Sequence, residues 1–345
     1  MLVGIHKNSH DGLDKDTRGY ETILDYNGID TIRLDVNESG FWEKVRELDL
    51  FIYRWTQIDD HHQIARSIIP VVENELGIRC FPDTTTCWHY DDKIKQYYLL
   101  KGHNFPVTES YIFYDKVQAL RWVENARFPI VFKLSNGAGS ENVILIKTVR
   151  QARQIIQKMF GHGIVPTFNG FGDVYGRVRK GYLNFRHFVG QKLKGRPTSD
   201  FWQVHKNYVL FQKFLMSNDY DTRVTVIGGR AFAFRRLNRP NDFRSSGSGQ
   251  IDYDIDKIDL KFIVKALEIS RTLDFQSMAY DSLYDQNGDI SFCEISYTYV
   301  ASAVYNCPGY WDEKLQWHEG HYWPQYFQLM DALGISDLKQ PEMEP

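Results

Sequence analysis

The sequence predicts an α/β protein: a parallel strand–helix layer at the N-terminus, then α+β lobes. Three observations predict it. Short apolar runs alternate with helix-patterned stretches over residues 1–90, as in a parallel sheet with crossover helices. A glycine-containing loop at 136–140 joins two strand-like runs. Two hairpin patterns follow between residues 208 and 300. At ~150 residues per domain, 345 residues leave room for two or three domains.

In the first layer, strands are expected at Leu2–His6, Thr31–Val36 and Leu48–Tyr53. Tyr20–Tyr26 has helical spacing and stops at Gly28. Asp59 or Asp60 can cap a helix through Ile64, Ile68 and Val72 that ends near Gly77. Asp91-Asp92-Lys93 opens the next helix, and Gly102 to Pro106 breaks it. A short apolar run at Tyr111–Phe113 precedes a helix over Val117–Asn125.

Pro129–Lys133 and Val143–Ile146 read as strands on either side of the 136–140 loop. A P-loop or Rossmann loop needs a helix N-terminus behind it, so neither is expected here. Arg223–Ile227 and Ala231–Phe234 flank a Gly-Gly turn and read as one hairpin. Ile258, Phe262, Ala266 and Ile269 share a helical face, with Asp254 or Asp256 as its cap. Tyr280–Tyr284 and Ile290–Ile295 form the second hairpin.

Composition excludes several classes. The formal net charge of −3 is no footprint of nucleic-acid binding, which needs a basic excess. Cys80, Cys87, Cys293 and Cys307 make no Cys-x-x-Cys pair, so neither a zinc site nor a disulfide framework is expected. No apolar run approaches ~18 residues, and Met-Leu-Val-Gly-Ile-His is not a signal-peptide start. The chain reads as cytosolic. Aromatics at 15% suit stacking surfaces, although a Phe/Tyr-rich core accounts for most of them. Residues 161–206 differ from the rest: eight Lys/Arg stand against Asp173 and Asp200, interleaved with aromatics from Phe168 to Trp202.

Some residues carry possible chemistry. Lys133 ends an apolar strand just before the glycine loop, where an ammonium and loop amides can meet phosphates; the plainer alternative is a strand-end surface lysine. Asp281 and Glu294 sit on the two arms of the second hairpin among apolar residues. Two buried carboxylates need a cation and suit Mg²⁺ between protein and phosphates; solvent-facing acids are the alternative. Asp221, Arg223, Arg235, Arg236, Asp242 and Arg244 cluster around the first hairpin. The histidines offer no clear metal set.

The order of these pieces resembles the ATP-grasp superfamily, in the branch near glutathione synthetase and the amino-acid ligases. The matching pieces are Asp92-Lys93 with Gly102 and Pro106, then Phe128–Lys133 with the 136–140 loop, Leu210–Leu215, and Asp221 to Gly229. Arg235-Arg236, Asp242–Ser246, Asp281 and Glu294-Ile295-Ser296 complete the set. The resemblance covers about 90–300 at motif level and 1–90 in pattern only.

The resemblance implies an N-terminal pre-ATP-grasp domain (1–90), a central lid (91–211) carrying the insert 161–206, and a C-terminal lobe (212–345), the two lobes clasping ATP. It implies that Lys93 and Lys133 reach the α- and β-phosphates and that the loop with Gly137, Gly139 and Ser140 closes over them. Gln212, Lys213, Phe214 and Leu215 would bind adenine through backbone groups, with Asp221 near the ribose or phosphates. Arg235, Arg236 and Arg244 would face the γ-phosphate and an acyl-phosphate. Asp281, Glu294 and Ser296 would hold Mg²⁺, with Mn²⁺ as a substitute. The family commonly has asparagine where this chain has Ser296 and Ser246, and a glycine where it has Asn142.

The implied activity is ATP-dependent ligation of a carboxylate to an amine through an acyl-phosphate. An ATP-binding protein without ligation and an ATP-grasp kinase are the competing classes. The substrates implied are small molecules: a sugar acid, an amino acid or a peptide. The aromatic, basic insert loosely resembles ATP-grasp proteins associated with cell-surface polysaccharide modification. For that insert, a cap over an anionic substrate competes with peripheral contact to an anionic membrane and with a plain solvated insertion.

Overall fold

In the computed structural model, the described residues are 1–8, 12–137, 142–166, 203–240 and 242–343. The N-terminal layer starts with β1 (Leu2–His6), α1 (Lys15–Tyr26), β2 (Asp30–Leu34), α2 (Phe41–Val45) and β3 (Leu50–Ile52). It continues with α3 (Asp59–Pro70), β4 (Arg79–Phe81) and the short α4 (Thr84–Cys87). The strands run parallel in the order β2-β1-β3-β4, as the alternating pattern requires. All of β3 is buried, the expected signature of a strand covered on both faces.

Next come α5 (Lys93–Gly102), β5 (Ser110–Phe113), α6 (Lys116–Val123), β6 (Ile130–Lys133), β7 (Val143–Ile146), α7 (Val149–Met159) and β8 (Val209–Lys213). These strands form an antiparallel sheet in the order β5-β8-β6-β7. Ala152, Ile156 and Met159 of α7 pack with Ala119 and Val123 of α6 over Ile130, Phe132 and Phe211. The 161–206 segment lies mostly outside the described residues. Its ends are tied by an antiparallel bridge: Ile164 N–H to His205 O at 2.9 Å and His205 N–H to Ile164 O at 2.8 Å.

The remaining elements are β9 (Tyr220–Ile227), β10 (Arg230–Leu237), β11 (Ile251–Asp252), α8 (Leu260–Thr272), β12 (Ser277–Tyr284) and β13 (Ile290–Ser296). They are followed by α9 (Ala301–Tyr305), β14 (Gly309–Trp311), β15 (Trp317–Glu319) and α10 (Pro324–Leu333). The sheet order is β13-β12-β9-β10-β14-β15, with β11 on β10. Both expected hairpins are present. The C-terminal stretch does more than the sequence suggested: β14 and β15 extend the sheet, and α10 returns to the N-terminal layer. There Leu329 and Leu333 join Val3, Ile5 and Ile23 in one core, and Tyr20 donates to Gln328 at 2.6 Å.

Two expected caps move. Asp59 and Asp60 lie in the first turn of α3, whose cap position is Ile58 without a side-chain bond; acids there still favour the helix dipole. The cap of α8 is Asp259, accepting from Lys261 N–H. A 3₁₀ turn at Ile255–Lys257 intervenes, and Asp254 caps that turn instead. Among the described residues no helix is long and apolar enough to cross a membrane.

Candidate active site

Between the β5–β8 sheet and the large sheet lies a cavity of about 140 Å³. Lys93, Lys133, Gly137 and Asn142 line it from the side of α5 and β6; Gln212, Lys213, Phe214 and Leu215 line it where the chain crosses between sheets. Asp221, Arg236, Arg244, Asp281 and Glu294 complete it from the large sheet. Thirteen residues from separate stretches of the sequence thus meet around one space.

β6 delivers Lys133. Ile130, Val131 and Phe132 are buried strand residues, and the strand ends as its last side chain reaches the cavity. Lys133 is itself 9% exposed, and among the described residues its ammonium has no hydrogen bond or ion pair. Burial pulls its pKa below the ordinary lysine value. A buried cation without a partner is costly, so the position is poised for an anion.

Lys93, one residue into α5, behaves differently. Its ammonium donates to Gly137 O at 2.7 Å and lies 3.2 Å from Glu294 Oε1. Burial works against its charge, but Glu294 and Asp91 outweigh that and the pKa is raised.

The large sheet supplies a charge network fixed by strand register. Asp281 of β12 is paired with Glu294 of β13 on one side and Arg223 of β9 on the other, so the three stand in one row across the sheet. Asp221 is paired with Arg236 of β10 one step along. Arg223 donates to both Asp281 oxygens at 2.6 and 2.8 Å. Arg236 donates to both Asp221 oxygens at 2.7 and 2.5 Å and lies 2.8 Å from Asp281. Burial would raise the Asp281 pKa, yet the two arginines hold it far below the usual carboxylate range. Asp221 is raised by burial despite its arginine.

A second cavity of about 470 Å³ shares the wall formed by Arg236, Ser245, Ser246, Asp281 and Glu294. Its far side is built from Asp16, Arg54, Tyr90, Asp91 and Tyr299. Arg54 bonds Asp14 at 3.1 Å and Asp16 at 2.8 Å. Each cation lining this space is therefore engaged by a carboxylate.

Several expectations change. Arg235 does not line either cavity; it bonds Asp252 at 2.5 Å and packs on the Tyr220 ring. Successive strand residues face opposite sides, so Arg235 and Arg236 cannot both face the site. Ser296 lines the second cavity rather than the first, opposite Ala279 and donating to Thr298 O at 2.8 Å. Gly137 is present with φ +108°, but its N–H is already given to Asp91 at 2.8 Å. Asn142 is buried with its Oδ1 unpaired. Gly139 and Ser140 lie outside the described residues. Arg244 is held by Asp242 at 2.6 Å.

The sequence reading noted Arg223 among the charges around the first hairpin but gave neither it nor Asp91 a role in the site. Arg223 sits two residues from Asp221 on the same strand, a spacing that puts both on one face. Asp91 precedes the Asp92-Lys93 motif, and its long-range grip on Gly137 left no local pattern.

A RimK-like ATP-grasp domain model matches residues 90–170. Alpha-aminoadipate–LysW ligase LysX of Saccharolobus solfataricus is 23% identical over 224 residues, 65% of this chain and 65% of that protein. The match thus spans just under two thirds of the relative's length. Two solved structures are similar over nearly the whole chain. D-alanyl-alanine synthetase A from Vibrio cholerae is 10% identical with a TM-score of 0.58, covering 97% of this chain and 98% of that one. D-cycloserine synthetase DcsG is 14% identical with a TM-score of 0.56, covering 97% and 99%. The RimK domain ATP-grasp protein from Sphaerobacter thermophilus is 12% identical with a TM-score of 0.53, covering 88% and 93%. These likenesses and the ordered motifs around one cleft between two sheets agree: residues 90–170 are similar to the RimK-like ATP-grasp domain, and the chain has the fold of the ATP-grasp ligases.

Proposed function

We propose that this chain is an ATP-dependent carboxylate–amine ligase working through an acyl-phosphate. The observation that carries the reading is Lys133: a buried ammonium, without a partner among the described residues, facing a cavity that shares its acidic wall with a second, larger one. A nucleotide polyphosphate in the first cavity supplies the missing anion. The carboxylate and amine substrates occupy the second.

In this reading the backbone of Gln212–Leu215 holds adenine, Lys133 and Lys93 meet the phosphates, and Asp221 lies toward the ribose side. The substrate carboxylate attacks the γ-phosphorus; an oxygen–phosphorus bond forms, the bond to the β–γ bridging oxygen breaks, and ADP leaves. The amine nitrogen then attacks the acyl carbon, phosphate departs, and the nitrogen gives up a proton. Arg236 and Arg244 stand where charge builds on the transferring group. The chain's part is in-line positioning and charge stabilisation, so no nucleophilic side chain is needed.

Asp281, Glu294 and Ser296 are hard oxygen donors on neighbouring strands, Asp281 being shared with Arg223 and Arg236. The set fits Mg²⁺, and Mn²⁺ in its place. Such an ion would neutralise phosphate charge during transfer. A protein working on ATP in this way is expected in the cytoplasm.

The test is a phosphate-release screen of sugar acids, amino acids and peptides against amines, read by mass spectrometry. Phosphate release that needs both partners, with a product lighter than their sum by one water, supports the ligase. A stable phosphorylated product identifies a kinase instead. ATP binding without turnover in the presence of any pair identifies a non-ligating protein.

A further inference from the structure

A run of hydroxyl groups leads from the end of β13 to the wall of the second cavity. Ser296 donates to Thr298 O at 2.8 Å and accepts from Thr298 N–H at 3.3 Å. The Thr298 hydroxyl donates to the Tyr90 oxygen at 2.8 Å. There the run ends. The Tyr90 oxygen has accepted a bond, and its own proton has no acceptor among the described residues. Tyr90, Glu294, Ser296 and Thr298 all line the second cavity.

The ring that carries this proton is fixed. Tyr90 is 4% exposed. It meets Trp55 edge-on with ring centroids 5.5 Å apart and Tyr297 with centroids 4.6 Å apart, and His62 tilts against it at 5.3 Å. Burial, and then the negative charge of Asp91, pushes the phenol pKa above its ordinary value, so the group keeps its proton and stays a donor. A buried O–H left without an acceptor is costly. The arginines lining this cavity differ, since Arg54, Arg223 and Arg236 already bond carboxylates. Tyr90 therefore asks a ligand for an acceptor oxygen, as Lys133 asks for an anion.

We propose that the Tyr90 hydroxyl is a catalytic hydrogen-bond donor to the acyl oxygen of a substrate held in the second cavity. The inference rests on the ligase reading, with the carboxylate substrate in that cavity. Two connections set the phenol beside the reacting end. Lys93, three residues along the chain, lies 3.2 Å from Glu294, and Thr298 follows directly on the Glu294–Ser296 stretch. When the amine nitrogen attacks the acyl carbon, a carbon–nitrogen bond forms and the carbonyl electron pair moves onto oxygen. Tyr90 donates to that oxygen and keeps its proton. The pair then re-forms the carbonyl, the bond to the phosphate oxygen breaks, and the nitrogen sheds a proton to water. A fixed donor aimed at an oxygen that gains charge acts most strongly in the transition state.

The experiment is steady-state kinetics of the full chain with ATP and Mg²⁺. Glutamate, glucuronate or alanylalanine serves as the acid and alanine as the amine, with amide formation read by mass spectrometry. Tyr90→Phe keeps the ring contacts and removes only the hydroxyl. It is expected to lose about 100-fold in kcat while the KM for ATP stays within about twofold. Thr298→Val removes the hydroxyl behind Tyr90 and leaves the phenol in place, so kcat is expected to stay within about fivefold, the scale of one neutral hydrogen bond. Near-normal kcat in Tyr90→Phe overturns the proposal. Equal losses of kcat in the two variants also overturn it, because the pair would then only brace the stretch after Ser296. A Tyr90→Phe chain that no longer folds overturns it as well, by giving the hydroxyl a packing role. A wild-type chain that binds ATP and joins none of these acids to alanine overturns the ligase reading beneath it.

Discussion

The two walls of the first cavity solve the same electrostatic problem in opposite ways. One wall, β6, presents a buried lysine with no partner among the described residues. The opposite wall, β9, β10, β12 and β13, presents Asp221, Arg223, Arg236, Asp281 and Glu294, whose register pairs acids with arginines in advance. The first wall is unfinished without a ligand. The second answers Asp221 and Asp281 with its own arginines and leaves Glu294 to Lys93 of α5. The difference teaches that a ligand's charge is read most directly where the protein leaves its own charge unanswered.

The largest effect is expected on the second wall. Asp281→Asn and Glu294→Gln each remove a negative oxygen from the proposed cation site. Turnover should fall by about 100-fold or more, the scale of losing one charge-stabilising group at a transition state. Steady-state rates at saturating Mg²⁺ check this; near-normal turnover in either variant removes that residue from the metal set. Asp281→Asn should also lower Tm, since two arginines lose much of their counter-charge.

The next effect separates neighbours on one strand. Arg236→Ala breaks a buried network at a cost of about 3–5 kcal/mol, whereas Arg235→Ala loses one rim pair worth about 1 kcal/mol or less. Thermal melts should show a large drop for the first and a small one for the second, with ATP affinity unchanged in Arg235→Ala. Equal effects would contradict the two-faced reading of β10.

The smallest effect belongs to Ser296→Asn. Ser296 already donates to Thr298 O, so an amide there should leave turnover within about twofold or raise it, since it supplies a longer neutral oxygen. Initial rates against Mg²⁺ concentration measure it, and a complete loss would mean that the larger group does not fit beside Thr298.

Much of this was legible in the sequence because local patterns set it. Alternation of runs gave the parallel N-terminal layer, and the run Ile130–Phe132 before Lys133 gave a buried strand ending in a lysine. The opposite faces of Arg235 and Arg236 were also legible, because strand periodicity is local; the family motif named both residues and hid it. What sequence could not supply depends on long-range register. The row Glu294–Asp281–Arg223 needs three strands aligned, with an irregularity between Asp281 and Ser282. The return of α10 to the N-terminal layer is a tertiary event without a sequence signature near Leu329.

The most direct test of the account is Lys133→Met, followed by both ATP titration and thermal melting. Methionine keeps the length and apolar contacts and removes the charge. The account predicts ATP binding weaker by about 10- to 100-fold, with Tm unchanged or raised because an unpaired buried charge has gone. In the wild-type chain, Lys133 is charged below its lowered pKa and a phosphate favours the charged form. ATP affinity should therefore be full at low pH and decline as pH rises through a value below the ordinary 10.5, a decline that Lys133→Met should lack. Unchanged ATP affinity in a folded Lys133→Met chain would contradict the account.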